Sequence, residues 1–227
     1  MVSRDDFSTP RVLECLRVLN DPDAFKNFPS LPLLTLVREL AKLTSLLGPA
    51  LYFAARDIDS KIHTIEAHLV RLGDETQQRP HDTLGYPLRL VVLNEQKTRA
   101  EYDAAHPSVS STFMRLVWFL DFTQKFTALI CGPREQPSPA GPDEPAVHNC
   151  ASDAYEQCLA PYHKPLVRVA VRLGLYACPS RNTFYEKLNV EPRRETSVFL
   201  RRLSDELRDP VESMWAFSRR LNLSDLR

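Results

Sequence analysis

The strongest constraint on the fold is an apolar segment that contains an arginine. Residues 109–130 read VSSTFMRLVWFLDFTQKFTALI. On an α-helix these apolar side chains cover nearly the whole circumference, which is typical of a helix packed on several sides. Arg115 lies within this segment, and removing a guanidinium from water costs several kcal/mol unless a partner compensates its charge. Either another residue neutralises Arg115, or an acidic ligand does.

Most of the other apolar residues recur at intervals of three and four, which predicts an all-α protein. The Arg115 helix is predicted to end at Gly132-Pro133, because these two residues commonly terminate helices. The recurring apolar residues form stripes, each on one side of a predicted helix, at residues 33–47, 58–69, 84–92, 166–177, 198–203 and 211–221. The helix of the third stripe is predicted to begin at Leu84.

The 18 prolines are compatible with helices because of where they lie. Five of them fall within residues 132–146, a predicted Pro-rich loop. Pro165 suits the first turn of a helix, and Pro210 is predicted to lie at a helix start or in a connection between helices. The loop could divide two domains. However, neither half alone explains the all-round apolarity of the Arg115 segment, so we predict a single domain over residues 1–227.

Composition excludes several classes of function. Lysine and arginine together number 29, and so do aspartate and glutamate, so nothing indicates nucleic acid as a partner. The five cysteines show no zinc-site spacing, which predicts free thiols and no metal.

There is no signal region and no apolar run of the ~18 residues that a bilayer span needs. We therefore predict a cytoplasmic protein. No motif for nucleotide binding or nucleophilic catalysis occurs, which predicts no cofactor and no enzymatic activity.

Two short segments contain candidate binding residues. Asp57 and Lys61 are four residues apart and share one side of a predicted helix. They form either a surface ion pair or the polar rim of an apolar crevice. His163 precedes an apolar stripe at a helix start. It is either structural or, as a neutral imidazole, a hydrogen-bond donor to a ligand carbonyl.

Other polar and aromatic residues are given mainly structural roles. Trp118 is predicted to belong to the core, with a stacking platform as the alternative. The arginines after residue 193 alternate with acidic residues, which is typical of a solvated surface. In a second interpretation, Trp215 and Phe217 touch an anionic membrane. The remaining histidines are predicted to lie on the surface: His63, His68, His81, His106 and His148.

Together these segments resemble the glycolipid transfer protein family. The resemblance extends from about Leu31 to Leu226, almost the whole chain, and depends on the order and separation of several pieces. Besides the Arg115 helix, these are DIDSKI at 57–62, HKPLVR at 163–168, LYACPSR at 175–181 and NLSDL at 222–226.

The resemblance implies a two-layer sandwich of about eight helices, with a sphingolipid headgroup at the surface and its hydrocarbon chains in a pocket between the layers. By motif, Asp57 would bind the lipid amide N–H and a hydroxyl, and His163 the amide carbonyl. Lys61 and Arg115 would face the headgroup. A lysine and an arginine at these positions are typical of members that select ceramide-1-phosphate, and Arg115 would then be a phosphate ligand.

One position departs from that pattern. Ser111 stands where phosphate-binding members usually have a second arginine, one turn before Arg115. A serine hydroxyl can bind a phosphate oxygen but adds no charge. Arg56 and Arg168 are candidate substitutes for the missing cation.

The leading hypothesis is therefore a non-enzymatic carrier of ceramide-1-phosphate that contacts membranes transiently. A carrier of neutral glycosphingolipids is the first alternative, with Trp118 or another aromatic residue under the sugar. A sphingolipid sensor that acts through a protein partner is the second. An enzyme acting on a lipid phosphate, with His163 and Asp57 as acid and base, is the third.

Overall fold

The computed structural model describes residues 7–26, 28–76, 87–98, 108–132, 145–188, 190 and 193–223. Within these ranges the regular structure is helical, apart from one isolated bridge between Pro29 and Pro87. The prediction of an all-α protein is confirmed. The α-helices are α1 Thr9–Leu19, α2 Pro22–Phe25, α3 Ser30–Ser45, α4 Pro49–Thr76, α5 Leu88–Thr98, α6 Val109–Cys131, α7 Val147–Cys158, α8 Pro165–Leu175, α9 Arg181–Leu188 and α10 Arg193–Arg220, and a 3-10 turn spans Ala160–Tyr162.

Helix α6, which contains Arg115, is the central element. It packs against α3, α4, α5, α7 and α10, while α3 also packs against α1 and α4. Being surrounded in this way explains why its apolar residues cover nearly the whole circumference. Its end is the predicted one: the helix stops at Cys131, and Gly132 follows with φ of 65°, a conformation that favours glycine.

Both ends of α6 are held by side chains from other helices. At the N-terminus, the buried carboxylate of Glu95 accepts hydrogen bonds from the backbone N–H of Val109 at 2.8 Å and of Ser110 at 2.6 Å. At the C-terminus, Arg181 donates to the carbonyl of Ile130 at 2.6 Å, and another arginine, Arg201, donates to that of Cys131 at 2.8 Å. An anion at the N-terminus and cations at the C-terminus both complement the helix dipole.

Helix α10 corrects the prediction for Pro210. This proline lies inside one continuous helix that includes the stripes at 198–203 and 211–221, and not at a helix start or in a connection. Proline has no N–H to offer the carbonyl four residues earlier, which belongs to Glu206. The side-chain amide of Asn20 donates to that carbonyl at 3.1 Å. A partner from the end of α1 thus satisfies the group that the proline leaves free.

Some predictions lie outside the described residues. Residues 133–144 of the Pro-rich loop, the helix start at Leu84, and His81 and His106 are among them. The single-domain assignment stays a prediction. In the part of the chain that the structure describes, no helix combines the length and apolarity that crossing a bilayer requires.

Candidate functional site

Asp57 and Lys61 form the expected pair on α4. The Lys61 ammonium lies 3.3 Å from a carboxylate oxygen of Asp57. The Asp57 side chain is exposed and that of Lys61 is half-buried. Such a pair contributes little to stability because water screens it. Its polar groups are therefore available to a ligand at small energetic cost.

The guanidinium of Arg115 lies over the indole of Trp118, 5.0 Å from the ring centroid. These residues are three apart on α6 and so share one side of the helix. Arg115 is half-buried, and none of the ion pairs formed between described residues includes it. Its charge is thus met by an aromatic face, which attracts a cation but does not neutralise it.

Trp118 is held by a second aromatic ring. Tyr162 stacks on it with centroids 4.0 Å apart and planes 6° from parallel. Trp118 therefore contacts both the guanidinium of Arg115 and the ring of Tyr162. Trp118 is 1% exposed, so its predicted core location is confirmed, and its Nε1 is buried without a hydrogen-bond partner in the described structure.

His163 lies at the end of the 3-10 turn that connects α7 with α8. Its Nδ1 is 3.1 Å from the hydroxyl of Tyr155. Burial lowers the pKa of His163, and the cationic Arg115 lowers it further, while the Asp57 carboxylate opposes the shift. The imidazole is therefore neutral near pH 7. Helix α4, which carries Asp57, packs against both α6, which carries Arg115, and α8, which follows His163.

The three additional candidates occupy different environments. The Arg168 Nε donates to the backbone carbonyl of His163 at 2.9 Å, so Arg168 holds the turn that carries the histidine. Arg56 is exposed next to Asp57 on α4. Ser111 is half-buried, and its backbone N–H donates to the Ser108 hydroxyl at 3.1 Å. The Glu95 carboxylate binds the same helix end, and that negative charge disfavours a second anion beside Ser111.

Helix α8 is apolar on the side that faces solvent. Only Leu175 of this helix is buried, whereas Leu166 is 82% exposed, Leu173 67% and the following Tyr176 78%. Phe53 on α4 is also exposed, and it precedes Asp57 by four residues, on the same side of that helix. Exposed apolar side chains therefore lie beside the candidate site.

Two surface assignments are wrong. His68 is buried on α4, a helix that packs against α3 and α6. Phe217 is buried against Phe28 and Phe113. Trp215 is half-buried and donates its indole N–H to Asp121 at 3.1 Å. Phe217 is therefore a core residue and not an interfacial one.

Sequence reasoning missed Tyr155, Tyr162 and Glu95. Tyr155 reaches His163 through the turn after α7, and Glu95 reaches the start of α6 from α5. Neither contact follows from a helical spacing in the sequence. A signal did exist for the pairing of Trp118 with Arg115, since a spacing of three predicts that they share a helix side.

Comparison with known proteins identifies similar chains. A model of the glycolipid transfer protein family matches residues 28–190. The ceramide-1-phosphate transfer protein of Xenopus laevis is 24% identical over 161 residues, which cover 71% of this chain and 69% of the frog protein.

Two solved structures are similar across almost the whole chain. The human ceramide-1-phosphate transfer protein in complex with 12:0 ceramide-1-phosphate has a TM-score of 0.75 and 22% identity, covering 96% of this chain and 98% of that one. The fungal glycolipid transfer protein HET-C2 has a TM-score of 0.71 and 19% identity, covering 92% and 96%. The predicted fold class, the helical sandwich of these proteins, is confirmed.

Proposed function

Because the chain belongs to the glycolipid transfer protein family, we propose that it carries a sphingolipid between membranes and that its preferred cargo is ceramide-1-phosphate. The observation that carries this proposal is the state of Arg115. Its guanidinium is half-buried over Trp118 and has no carboxylate partner in the described ranges. A cation held in this way is suited to an anionic headgroup, because the ligand supplies the missing counter-charge.

The similar proteins support an acidic headgroup. The frog relative is named a ceramide-1-phosphate transfer protein, and the human structure is a complex with that lipid. The likeness to HET-C2 shows that the same fold also occurs in a glycolipid transfer protein. Headgroup choice must therefore come from the site residues, and here they include the cations Lys61 and Arg115.

Each site residue has a distinct role in the proposal. Arg115 and Lys61 bind phosphate oxygens, for which a guanidinium can make two parallel hydrogen bonds. Asp57 accepts hydrogen bonds from the amide N–H and a hydroxyl of the lipid. Neutral His163 donates to the amide carbonyl. Ser111, Arg56 and Arg168 are secondary: Arg168 acts on the backbone of His163, and Arg56 remains a candidate phosphate contact.

The affinity of such a carrier comes mainly from the hydrocarbon chains. Each methylene removed from water contributes about 0.8 kcal/mol, so a lipid leaves a bilayer only for an equally apolar interior. The chains would enter between the helical layers, while the polar groups at the rim determine orientation and selectivity. Lipid transfer needs no covalent step, so the proposed carrier is not an enzyme.

The exposed side of α8 supports transient contact with membranes. Leu166, Leu173 and Tyr176 form an apolar surface beside the site, and Lys164 lies exposed at the start of the helix. Apolar side chains flanked by a cation are typical of segments that rest in the interface of a bilayer. Docking through this surface would place the headgroup site against the lipids.

The proposal is tested by measuring transfer between vesicles. Donor vesicles contain either fluorescent ceramide-1-phosphate or a fluorescent neutral glycosphingolipid, and both are also supplied together in competition. We expect faster transfer of ceramide-1-phosphate. Asp57→Asn should abolish transfer with an unchanged circular dichroism spectrum, whereas Asp59→Asn, on the same helix, should retain it. Preferential transfer of the neutral lipid would reject the phosphate assignment, and equal rates for both variants would reject the site.

Membrane contact is tested separately by vesicle co-sedimentation. Leu173→Glu should weaken binding to phosphatidylcholine vesicles that contain a minority of anionic lipid. The matched control is Val198→Glu, which changes an equally apolar, exposed residue on α10. Equal binding by the two variants would show that α8 is not the docking surface.

The alternatives give different results in these assays. A glycolipid carrier with Trp118 under the sugar conflicts with the burial of that indole beneath Tyr162. A lipid phosphatase or hydrolase would release product during prolonged incubation, which mass spectrometry of the recovered lipid would detect. A carrier returns the lipid unchanged.

A further inference from the structure

Tyr155 forms a hydrogen bond with the His163 ring. The 3-10 turn Ala160–Tyr162 reverses the chain after α7, and the backbone N–H of His163 donates to the carbonyl of Ala160 at 3.2 Å. This turn brings the imidazole back to the side of α7, where Nδ1 lies 3.1 Å from the Tyr155 hydroxyl. Arg168 holds the same turn through the His163 carbonyl.

The direction of this hydrogen bond follows from counting donors and acceptors. A neutral imidazole has one N–H and one acceptor nitrogen, and a phenol has one proton. Tyr155 is 1% exposed, and in the described structure its hydroxyl has Nδ1 as its hydrogen-bond partner. If Nδ1 carried the proton, the phenol proton would be buried without an acceptor, which is costly. The phenol therefore donates, Nδ1 accepts, and the ring proton is on Nε2.

The protonation states agree with this arrangement. Burial raises the pKa of the Tyr155 phenol, which keeps its proton in place. Burial and the Arg115 cation lower the pKa of His163, which keeps the imidazole neutral. Both groups therefore have the protons that the geometry requires near pH 7.

We propose that Tyr155 is a positioning residue that fixes His163 in the Nε2–H tautomer, so that Nε2 can donate to the carbonyl oxygen of an amide ligand. This inference rests on the proposed function for the identity of the ligand. The tautomer itself is a property of the free protein. In the opposite tautomer, Nε2 would be an acceptor and would repel a carbonyl oxygen.

The tautomer can be read directly from two-bond proton–nitrogen correlation spectra of protein labelled with ¹⁵N-histidine. His163→Gln identifies the signal of this residue among the six histidines. We expect the wild-type ring to be protonated on Nε2. Tyr155→Phe should introduce a population protonated on Nδ1 and weaken binding of ceramide-1-phosphate roughly fivefold, which corresponds to one net hydrogen bond of about 1 kcal/mol. Tyr185→Phe, which removes another buried tyrosine hydroxyl, should change neither.

The outcomes separate this proposal from the proposed function. A wild-type spectrum with the proton on Nδ1 overturns the proposal without any variant. So does a folded Tyr155→Phe protein that keeps both the Nε2–H signal and full affinity. If the wild type has the Nε2–H tautomer but does not bind ceramide-1-phosphate, the cargo assignment fails and the role of Tyr155 in fixing the ring stands.

Discussion

The guanidinium of Arg115 lies 5.0 Å from the centre of the Trp118 indole, which also stacks against Tyr162. This contact holds the cation in a defined place and leaves its charge for a ligand. A carboxylate in the position of the indole would have neutralised Arg115 and left no uncompensated charge to attract an anionic ligand. Arg172 shows the opposite arrangement, because its charge is paired with the Glu156 carboxylate at 2.7 Å.

We expect Arg115→Gln to reduce transfer of ceramide-1-phosphate by about 10- to 100-fold, the loss of one hydrogen bond to a charged group. Transfer of a neutral glycosphingolipid should change little. Arg115→Lys should be intermediate, because it retains the charge but loses the planar stacking group. The control is Arg89→Gln, since Arg89 also lies over an aromatic ring, that of Phe217. Equal losses for both lipids would contradict a role in headgroup selection.

The lowered pKa of His163 predicts a pH dependence of stability. Because the folded-state pKa lies below the ordinary value of 6.5, the folded protein binds fewer protons than the unfolded chain. The contribution of His163 is thus fully present above about pH 6.5 and decreases as the pH falls toward the folded-state pKa. His163→Gln should have a smaller decrease in Tm than the wild type between about pH 7.5 and pH 5.

The exposed His63 provides the control for this measurement. His63→Gln should leave the wild-type dependence of Tm on pH in place. Parallel curves for His163→Gln and the wild type across the same range would mean that folding does not lower the pKa of His163. That result would contradict the neutral imidazole in the site.

Asp121 predicts an opposite dependence on pH. Burial raises the pKa of this carboxyl above its ordinary 3.8, although Trp215 and Cys158 donate hydrogen bonds to it and limit the shift. Its favourable contribution is present while it is protonated and is lost as the pH rises through the folded-state pKa. Asp121→Asn removes the ionisation but keeps an oxygen for Trp215. It should therefore raise the free energy of unfolding at neutral pH, where the buried wild-type carboxylate is costly.

The expected stabilisation should disappear in acid, where the wild-type carboxyl is also neutral. Urea denaturation at about pH 7 and at about pH 3, which is below the ordinary carboxyl pKa, would measure both values. Asp153→Asn, an exposed carboxylate on α7, is the control and should have a small effect at both. A loss of more than about 2 kcal/mol for Asp121→Asn at neutral pH would mean that the charge itself supports the structure.

Sequence reasoning succeeded where the physics is local. The limits of the Arg115 helix followed from its apolar residues and from Gly132, and the contact between Asp57 and Lys61 followed from their spacing of four. It failed where a contact depends on a turn, as between Tyr155 and His163, or joins distant parts of the chain, as between Asn20 and Glu206. The stripe at 166–177 shows a further limit: periodicity predicts the helix correctly but cannot tell whether protein, lipid or water covers its apolar side.

Pro210 offers the sharpest test of such a distant contact. The Asn20 amide donates to the carbonyls of Leu16 at 2.9 Å and Glu206 at 3.1 Å, so Asn20→Ala should lower the free energy of unfolding by about 1 kcal/mol. In a Pro210→Ala background the new N–H of residue 210 can bind the Glu206 carbonyl, and the same change at Asn20 should then cost less.

A double-mutant cycle measured by urea denaturation gives this coupling directly, and we expect about 0.5 kcal/mol. Asn149→Ala, which changes an exposed asparagine on α7, should show no coupling to Pro210→Ala. Additive effects of Asn20→Ala and Pro210→Ala would contradict the assignment. The Glu206 carbonyl would then be satisfied in the wild type without Asn20, and the continuity of α10 through its proline would depend on packing alone.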